Sequence, residues 1–438
     1  MKRTALMATV AIASMAVSCA AAAASFDFWY GHSGPIAKAI ESLCDGFNQS
    51  QREHQVHCTS QGTYEQTMLK GVAAYRAGRQ PAVIEIYDVG TLDMMLSGAV
   101  YPVSRLMDDT GHPVDWTDYL GPVLSYYAGA DGKPGSLPFN ASTLILYVHR
   151  AKLAAAGVDH APRTWEEFEA IAAKLKANGY ACPAITDYDP WKMLEQTNAS
   201  QDVPIATRRH AGDALDVEYV FNTGIHRRLM NDVMRWRAGG LLIDAAQTRT
   251  GNQALAFASG ECVMSADSTS SWSAIMAGEI ADIGVSVIPV YAQTSRHSTI
   301  VGGASLWVMK GYDAAVYRAV AAFFVYLRQP ENQIAFAMQT GYLPVTRRAA
   351  ATLAATRPGD PLVLPVTVGL ASLSMSPDAY PPGTRLGFLP QFRLAWREEV
   401  QKAFGGTQTI GEALDHAKAR GDQLLTRFKE TYDGVNLP

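Results

Sequence analysis

The stretch AVIEIYDVG, Ala82 to Gly90, runs through isoleucine and valine to Tyr87 and then breaks at Asp88-Val89-Gly90. A short run rich in β-branched residues, closed by turn formers, reads as a buried strand. Before it, Tyr64 to Ala77 reads as a helix and Gln55 to Ser60 as another strand. Further back, Phe26-Asp27-Phe28-Trp29-Tyr30 alternates as a strand does. After Gly34-Pro35, the residues Ile36, Ile40, Leu43 and Phe47 fall on one face of a helix. Strands alternating with helices of this length predict parallel βαβ units, and hence an α/β lobe.

A chain of 438 residues exceeds what one core usually serves, so two lobes are expected. The second begins near Asn140, where ASTLILYVHR reads as a strand followed by a helix. Thr164 and Glu167 form a capping box that opens a helix closed by Gly179. Cys262 to Ala266 reads as a strand. Leu306 to Met309 is another, entered through Gly302 and Gly303. Two bare glycines there have two explanations: a tight turn, or a neighbour approaching the backbone where a Cβ would block it. Asp313 caps the next helix, Pro330 starts another, and the capping box Thr409–Glu412 opens a last one reaching about Phe428. The lobes are expected to comprise residues 25–139 with about 303–342, and about 140–302 with 343–438.

Lys2 and Arg3 precede an apolar stretch, Ala5 to Val17, which ends in an alanine run at Ala24. This is the pattern of a cleaved secretory signal over residues 1–24. Its loss takes the formal charge from −4 to −6, because it carries Lys2, Arg3 and no acid. An acidic surface disfavours nucleic acid and anionic membranes as partners. Any bound anion must then be captured by a local site. Four cysteines remain, Cys44, Cys58, Cys182 and Cys262, an even number in an oxidising compartment. Cys44 closes the first helix and Cys58 lies on the next strand, so they can bridge. Cys182 and Cys262 both start strands of the second lobe and can pair likewise.

Catalytic templates fail. There is no phosphate-binding loop, no dinucleotide fingerprint and no H-E-x-x-H. GHSGP, Gly31 to Pro35, approaches a nucleophile elbow but has proline where the last glycine belongs. His54 and His57 face opposite sides of their strand, so they suit no metal. A secretory signal, two α/β lobes and no catalytic signature describe a secreted binding protein with its ligand between the lobes.

The segments GTYEQTMLKGVAAYRAGRQPAVIEIYDVGT, LPFNASTLILYVHR, GECVMSADSTS, VGGASLWVMKG, TGYLPVT and RLGFLPQFR carry a resemblance. In order, along essentially the whole mature chain, they resemble the periplasmic sn-glycerol-3-phosphate-binding proteins of ABC importers. The resemblance implies a type II periplasmic-binding-protein fold, an α/β structure whose two lobes close on ligand. It also implies a monomer in the periplasm that serves a permease in the inner membrane, with no cofactor, no metal and no catalysis. Matched position by position, the family's ligand contacts fall on Tyr64, Asp88, Ser142, Ser268, Gly303, Tyr342 and Arg393. The hydroxyls, the Gly303 N–H and the arginine fork suit a phosphate, and Asp88 suits glycerol hydroxyls.

The sequence also departs from the family. Aspartate stands at 88 in place of glutamate, Tyr188 and Trp191 replace two tryptophans, and the loop WYGHSGP is unusual. The phosphate end is intact, while the ligand's other end is open to change. An aromatic wall could hold the quaternary ammonium of glycerophosphocholine by cation–π attraction. Two rival readings are a sugar or oligosaccharide receptor of the same fold and a secreted phosphodiesterase. The latter needs a metal cluster or an activated nucleophile that the sequence does not offer.

Overall fold

The alternation read in the first strand is the register of a strand with one face on the core: Phe26, Phe28 and Tyr30 are buried and Asp27 is exposed. The computed structural model describes residues 24–207, 215–278, 282–360, 363–375 and 383–435, so nearly all of the secretory signal lies outside the described residues. The strands are β1 (Ala24–Tyr30), β2 (His54–Ser60), β3 (Val83–Tyr87), β4 (Val100–Tyr101), β5 (Leu137–Ser142), β6 (Leu144–His149), β7 (Cys182–Thr186), β8 (Leu242–Asp244), β9 (Cys262–Ser268), β10 (Ile283–Val287) and β11 (Gly302–Met309). They form two sheets, one ordered β2-β1-β3-β11-β4 with β5 also on β11, the other β10-β6-β9-β7-β8.

The parallel reading holds for β1 with β2 and β3, and for β7 with β8 and β9. It fails for β11, which runs antiparallel to β3, β4 and β5, and for β6, which runs antiparallel to β9 and β10. The cause is topological: β5 and β11 are where the chain leaves one sheet for the other and returns.

ASTLILYVHR, read as one strand, is divided between the sheets, with β5 ending at Ser142 and β6 beginning at Leu144. Thr143 between them is a fastening point. Its hydroxyl lies 2.7 Å from that of Thr299 and donates to the Ile300 carbonyl at 3.0 Å. The outgoing and returning crossovers are thereby tied side by side.

The helix Arg347–Thr356 was expected in the second lobe but packs on the helix Pro330–Thr340 of the first. Arg347 Nε donates to the Thr117 carbonyl at 3.2 Å, and the Arg348 N–H to Asp118 at 3.2 Å. The next helix, Leu364–Leu373, packs on β6 and β10. The last crossing therefore falls beyond 356, not at 342, because the helices after β11 complete the first lobe's covering layer. The C-terminal helices Leu389–Phe404 and Ile410–Tyr432 return to the second lobe, where Phe392 stacks on Tyr219 with ring centroids 3.8 Å apart.

Both expected disulfides are formed. Cys44–Cys58 pins the helix Gly34–Ser50 to β2, and Cys182–Cys262 joins β7 to β9.

His226, on the helix Gly224–Ala238, is fully buried near Phe221 and Trp396, and neither ring nitrogen has a hydrogen-bond partner. Burial pushes its pKa from 6.5 down to about 3. A base depressed in this way stabilises the fold only while neutral. That contribution is complete above the unfolded pKa of 6.5 and is lost as the pH falls toward about 3. At about 1.4 kcal/mol per pH unit, acidification from about pH 6.5 to about pH 4.5 should remove 2 to 3 kcal/mol. Denaturant midpoints across this range should fall less steeply for His226→Leu than for wild type. Parallel curves would show that His226 is not the titrating group.

Candidate functional site

The residues matched by resemblance arrive from separate elements. Tyr64 opens the helix Tyr64–Arg76, which Thr63 caps with Gln66 in a reciprocal capping box. Asp88 follows the last residue of β3, Ser142 ends β5, and Ser268 ends β9 and caps the turn after it by accepting from the Ser270 N–H at 3.2 Å. Tyr342 follows Gly341, whose φ of +78° ends the helix Pro330–Thr340. Arg393 lies in the first turns of the helix Leu389–Phe404. All of them, with Gly303 and Trp191, line one cleft of about 730 Å³ between the two sheets. Strand ends facing helix starts are where open α/β sheets hold ligands.

Tyr188 is not among the residues lining that cleft. Its φ of +55° turns the ring onto Phe404, with centroids 4.3 Å apart, and its hydroxyl accepts from Arg237 Nη1 at 2.8 Å. Of the aromatic pair expected at the glycerol end, only Trp191 faces the cleft.

The two glycines sit inside β11, not in a turn ahead of it. Gly303 has φ +100°, and an added Cβ would lie 1.7 Å from the Asn140 carbonyl oxygen of the neighbouring strand. Strand packing alone therefore requires glycine there, whatever occupies the cleft. At Gly302 a Cβ would fall 2.3 Å from the Trp191 ring, so the indole rests on bare backbone.

Arg393 is already paired. Nε and Nη2 grip Glu195 at 2.6 and 2.9 Å, and Nη2 also reaches Asp88 at 3.1 Å. Burial pushes both carboxyls upward in pKa while the guanidinium pulls them down, and burial prevails. The guanidinium loses to burial too, but the two carboxylates more than compensate and hold it firmly charged. Glu195 is buried on the wide π-helical turn Trp191–Gln196. It fixes the fork from behind, while Asp88 shares the cleft.

Sequence reasoning missed Glu195, Lys192 and Arg397. Lys192 lines the cleft beside Trp191 and pairs with Asp187 at 2.9 Å and Asp267 at 2.7 Å. Burial would lower its pKa, but those carboxylates overcome it and raise it. Arg397 stands one turn beyond Arg393 and binds Asp189 at 2.9 Å. The four-residue spacing in RLAWR was the available signal for Arg397. Lys192 and Glu195 had only their charge in a largely apolar turn to mark them.

Two lobes, with a cleft between their strand ends lined by paired charges, hydroxyls and aromatic rings, are the arrangement of a solute receptor. The chain belongs to the bacterial extracellular solute-binding protein family, which matches residues 42–360. It is 34% identical, over 94% of its length and 94% of the relative's, to the sn-glycerol-3-phosphate-binding periplasmic protein UgpB of Yersinia pseudotuberculosis serotype I. The protein of that name from Escherichia coli strain K12 is 33% identical, over 94% of this chain and 95% of the relative. In shape the chain is similar to UgpB from Mycobacterium tuberculosis, solved with glycerophosphocholine, at a TM-score of 0.74 and 21% identity over 92% of this chain and 98% of that one. The sugar-binding protein MalE from Xanthomonas citri is similar too, with a TM-score of 0.72 and 18% identity over 93% and 99%. The architecture is the type II periplasmic-binding-protein fold.

Proposed function

We propose that the protein captures sn-glycerol-3-phosphate, and glycerophosphodiesters such as glycerophosphocholine, and delivers them to an ABC permease of the inner membrane. It works in the periplasm as a monomer and does no chemistry on its ligand. The carrying observation is Arg393, held charged at the cleft wall with Ser142, Ser268 and the Tyr64 and Tyr342 hydroxyls around the same space. The relatives' names support the ligand class. The ligand selects the closed arrangement of the lobes, and closure removes water from the phosphate. A sugar receptor is the second reading, favoured by the acids Asp187 and Asp189 at the cleft and by the likeness to MalE.

Calorimetric titrations with glycerol-3-phosphate, glycerophosphocholine and maltose separate the two. Saturable heat with the phosphate esters and none with maltose is expected. The reverse pattern would install the sugar receptor. With Tyr188 turned away, Trp191 is the member of the expected aromatic pair left to hold a quaternary ammonium. Trp191→Ala should weaken glycerophosphocholine by about 2- to 30-fold more than glycerol-3-phosphate, matching about 0.5 to 2 kcal/mol of cation–π attraction. Equal losses in the same titrations would make Trp191 a plain wall.

A further inference from the structure

Beneath the cleft lies a buried polar chain that reaches two of the matched contacts, Tyr64 and Tyr342, from residues outside that set. Glu85 sits in the middle of β3 with its side chain fully buried. Both carboxylate oxygens accept: Oε2 takes the Gly31 N–H at 2.7 Å and Oε1 takes Asn140 Nδ2 at 2.9 Å. His32 Nε2 stands 3.3 Å from Oε1, its ring edge-on to Tyr64 at 4.7 Å between centroids. Asn140 Nδ2 also donates to the Tyr64 hydroxyl at 2.9 Å, and that hydroxyl lies 3.0 Å from the hydroxyl of Tyr342.

We infer that Glu85 is a positioning residue that sets the direction of this chain and makes Tyr342 a hydrogen-bond donor toward the ligand. The logic follows from donor counts. A carboxylate has no proton to give, so the Asn140 amide must present its NH₂ group to Glu85; flipped, it would set oxygen against oxygen. His32 Nε2 lies 3.1 Å from the same amide nitrogen, but as the tautomer that donates to Glu85 Oε1 it takes no hydrogen, so the second amide hydrogen goes to the Tyr64 oxygen. Tyr64 has one proton, and with its oxygen already accepting from Asn140 that proton is assigned to the Tyr342 oxygen 3.0 Å away. Tyr342, its oxygen accepting from Tyr64 and from the Ser270 hydroxyl beside it, keeps its own proton for the cleft that both line. An anionic ligand gains from a donor there, since hydrogen bonds to charged groups are the stronger ones. This inference rests on the reading that the ligand is a phosphate ester.

The test is a double-mutant cycle read by glycerol-3-phosphate titration. Tyr342→Phe should weaken binding by about 10- to 100-fold, as expected for loss of a bond to a charged group. Glu85→Gln keeps the shape and removes the obligate acceptor, and should weaken it by about 5- to 10-fold. Glu85→Gln/Tyr342→Phe should bind within about twofold of Tyr342→Phe alone, because Glu85 acts through that hydroxyl. Losses that multiply in full, or a folded Glu85→Gln that binds like wild type, would overturn the inference and leave the ligand class standing. Should Glu85→Gln not fold, Asn140→Ala cuts the chain one link later and must give the same non-additivity. Wild-type protein that takes up maltose and neither phosphate ester would overturn both the inference and the ligand class beneath it.

Discussion

Arg393→Ala should weaken glycerol-3-phosphate binding by about 30-fold to several thousand-fold, the range given by a truncation cost of about 2 to 5 kcal/mol in a buried charge pair. The phosphate between closing lobes leaves water behind and needs a cation that stays charged, which arginine does at any working pH. The other cleft cations, Lys192 and Arg397, are tied to Asp187 with Asp267 and to Asp189. Arg393 is tied as well, by Glu195 and Asp88, so its removal also leaves two buried carboxylates without their cation. The variant should therefore lose stability at neutral pH, by about 3 to 5 kcal/mol as for other broken buried pairs. Arg393→Lys should recover part of the affinity, keeping the charge but not the two-pronged grip on Glu195. Titration of folded protein checks the affinity, and binding within about threefold of wild type would place the phosphate elsewhere.

Replacing Cys182 and Cys262 together by alanine should cost about 4 to 5 kcal/mol, the loop-closure value for cysteines 80 residues apart. Cys44 and Cys58, 14 apart, should be worth only about 3 kcal/mol. The larger bridge also matters to the site. It joins the starts of β7 and β9, and these strands run on to Asp187 and Lys192 and to Ser268 in the cleft. Weaker ligand binding should accompany the lost stability. Denaturant unfolding of the paired variants measures the cost, and an unchanged midpoint for Cys182→Ala/Cys262→Ala would contradict it.

Local features were legible wherever the cause was local. Alternation in Phe26 to Tyr30 and the apolar run of β3 gave the strands, and Thr409 with Glu412 forms the reciprocal box its spacing promised. At Thr164 only half of the box forms, because Glu167 bonds the Arg163 N–H instead. The division of ASTLILYVHR at Thr143 was invisible, since both halves are buried and only their sheets differ. Resemblance brought the cleft residues together, but not their charge partners. Arg393 and Glu195 are 198 positions apart, and no pattern within the chain pairs them. Tyr188 was misplaced because sequence position fixes a residue's address and not the φ that aims its ring.

The most direct test is a diffraction structure of the protein crystallised with glycerol-3-phosphate. The account predicts phosphate oxygens within hydrogen-bonding distance of the Arg393 guanidinium and of the Ser142 and Ser268 hydroxyls, with the Tyr342 hydroxyl donating to the same group. A phosphate bound away from Arg393, with Asp88 and Glu195 still holding that side chain to themselves, would contradict it.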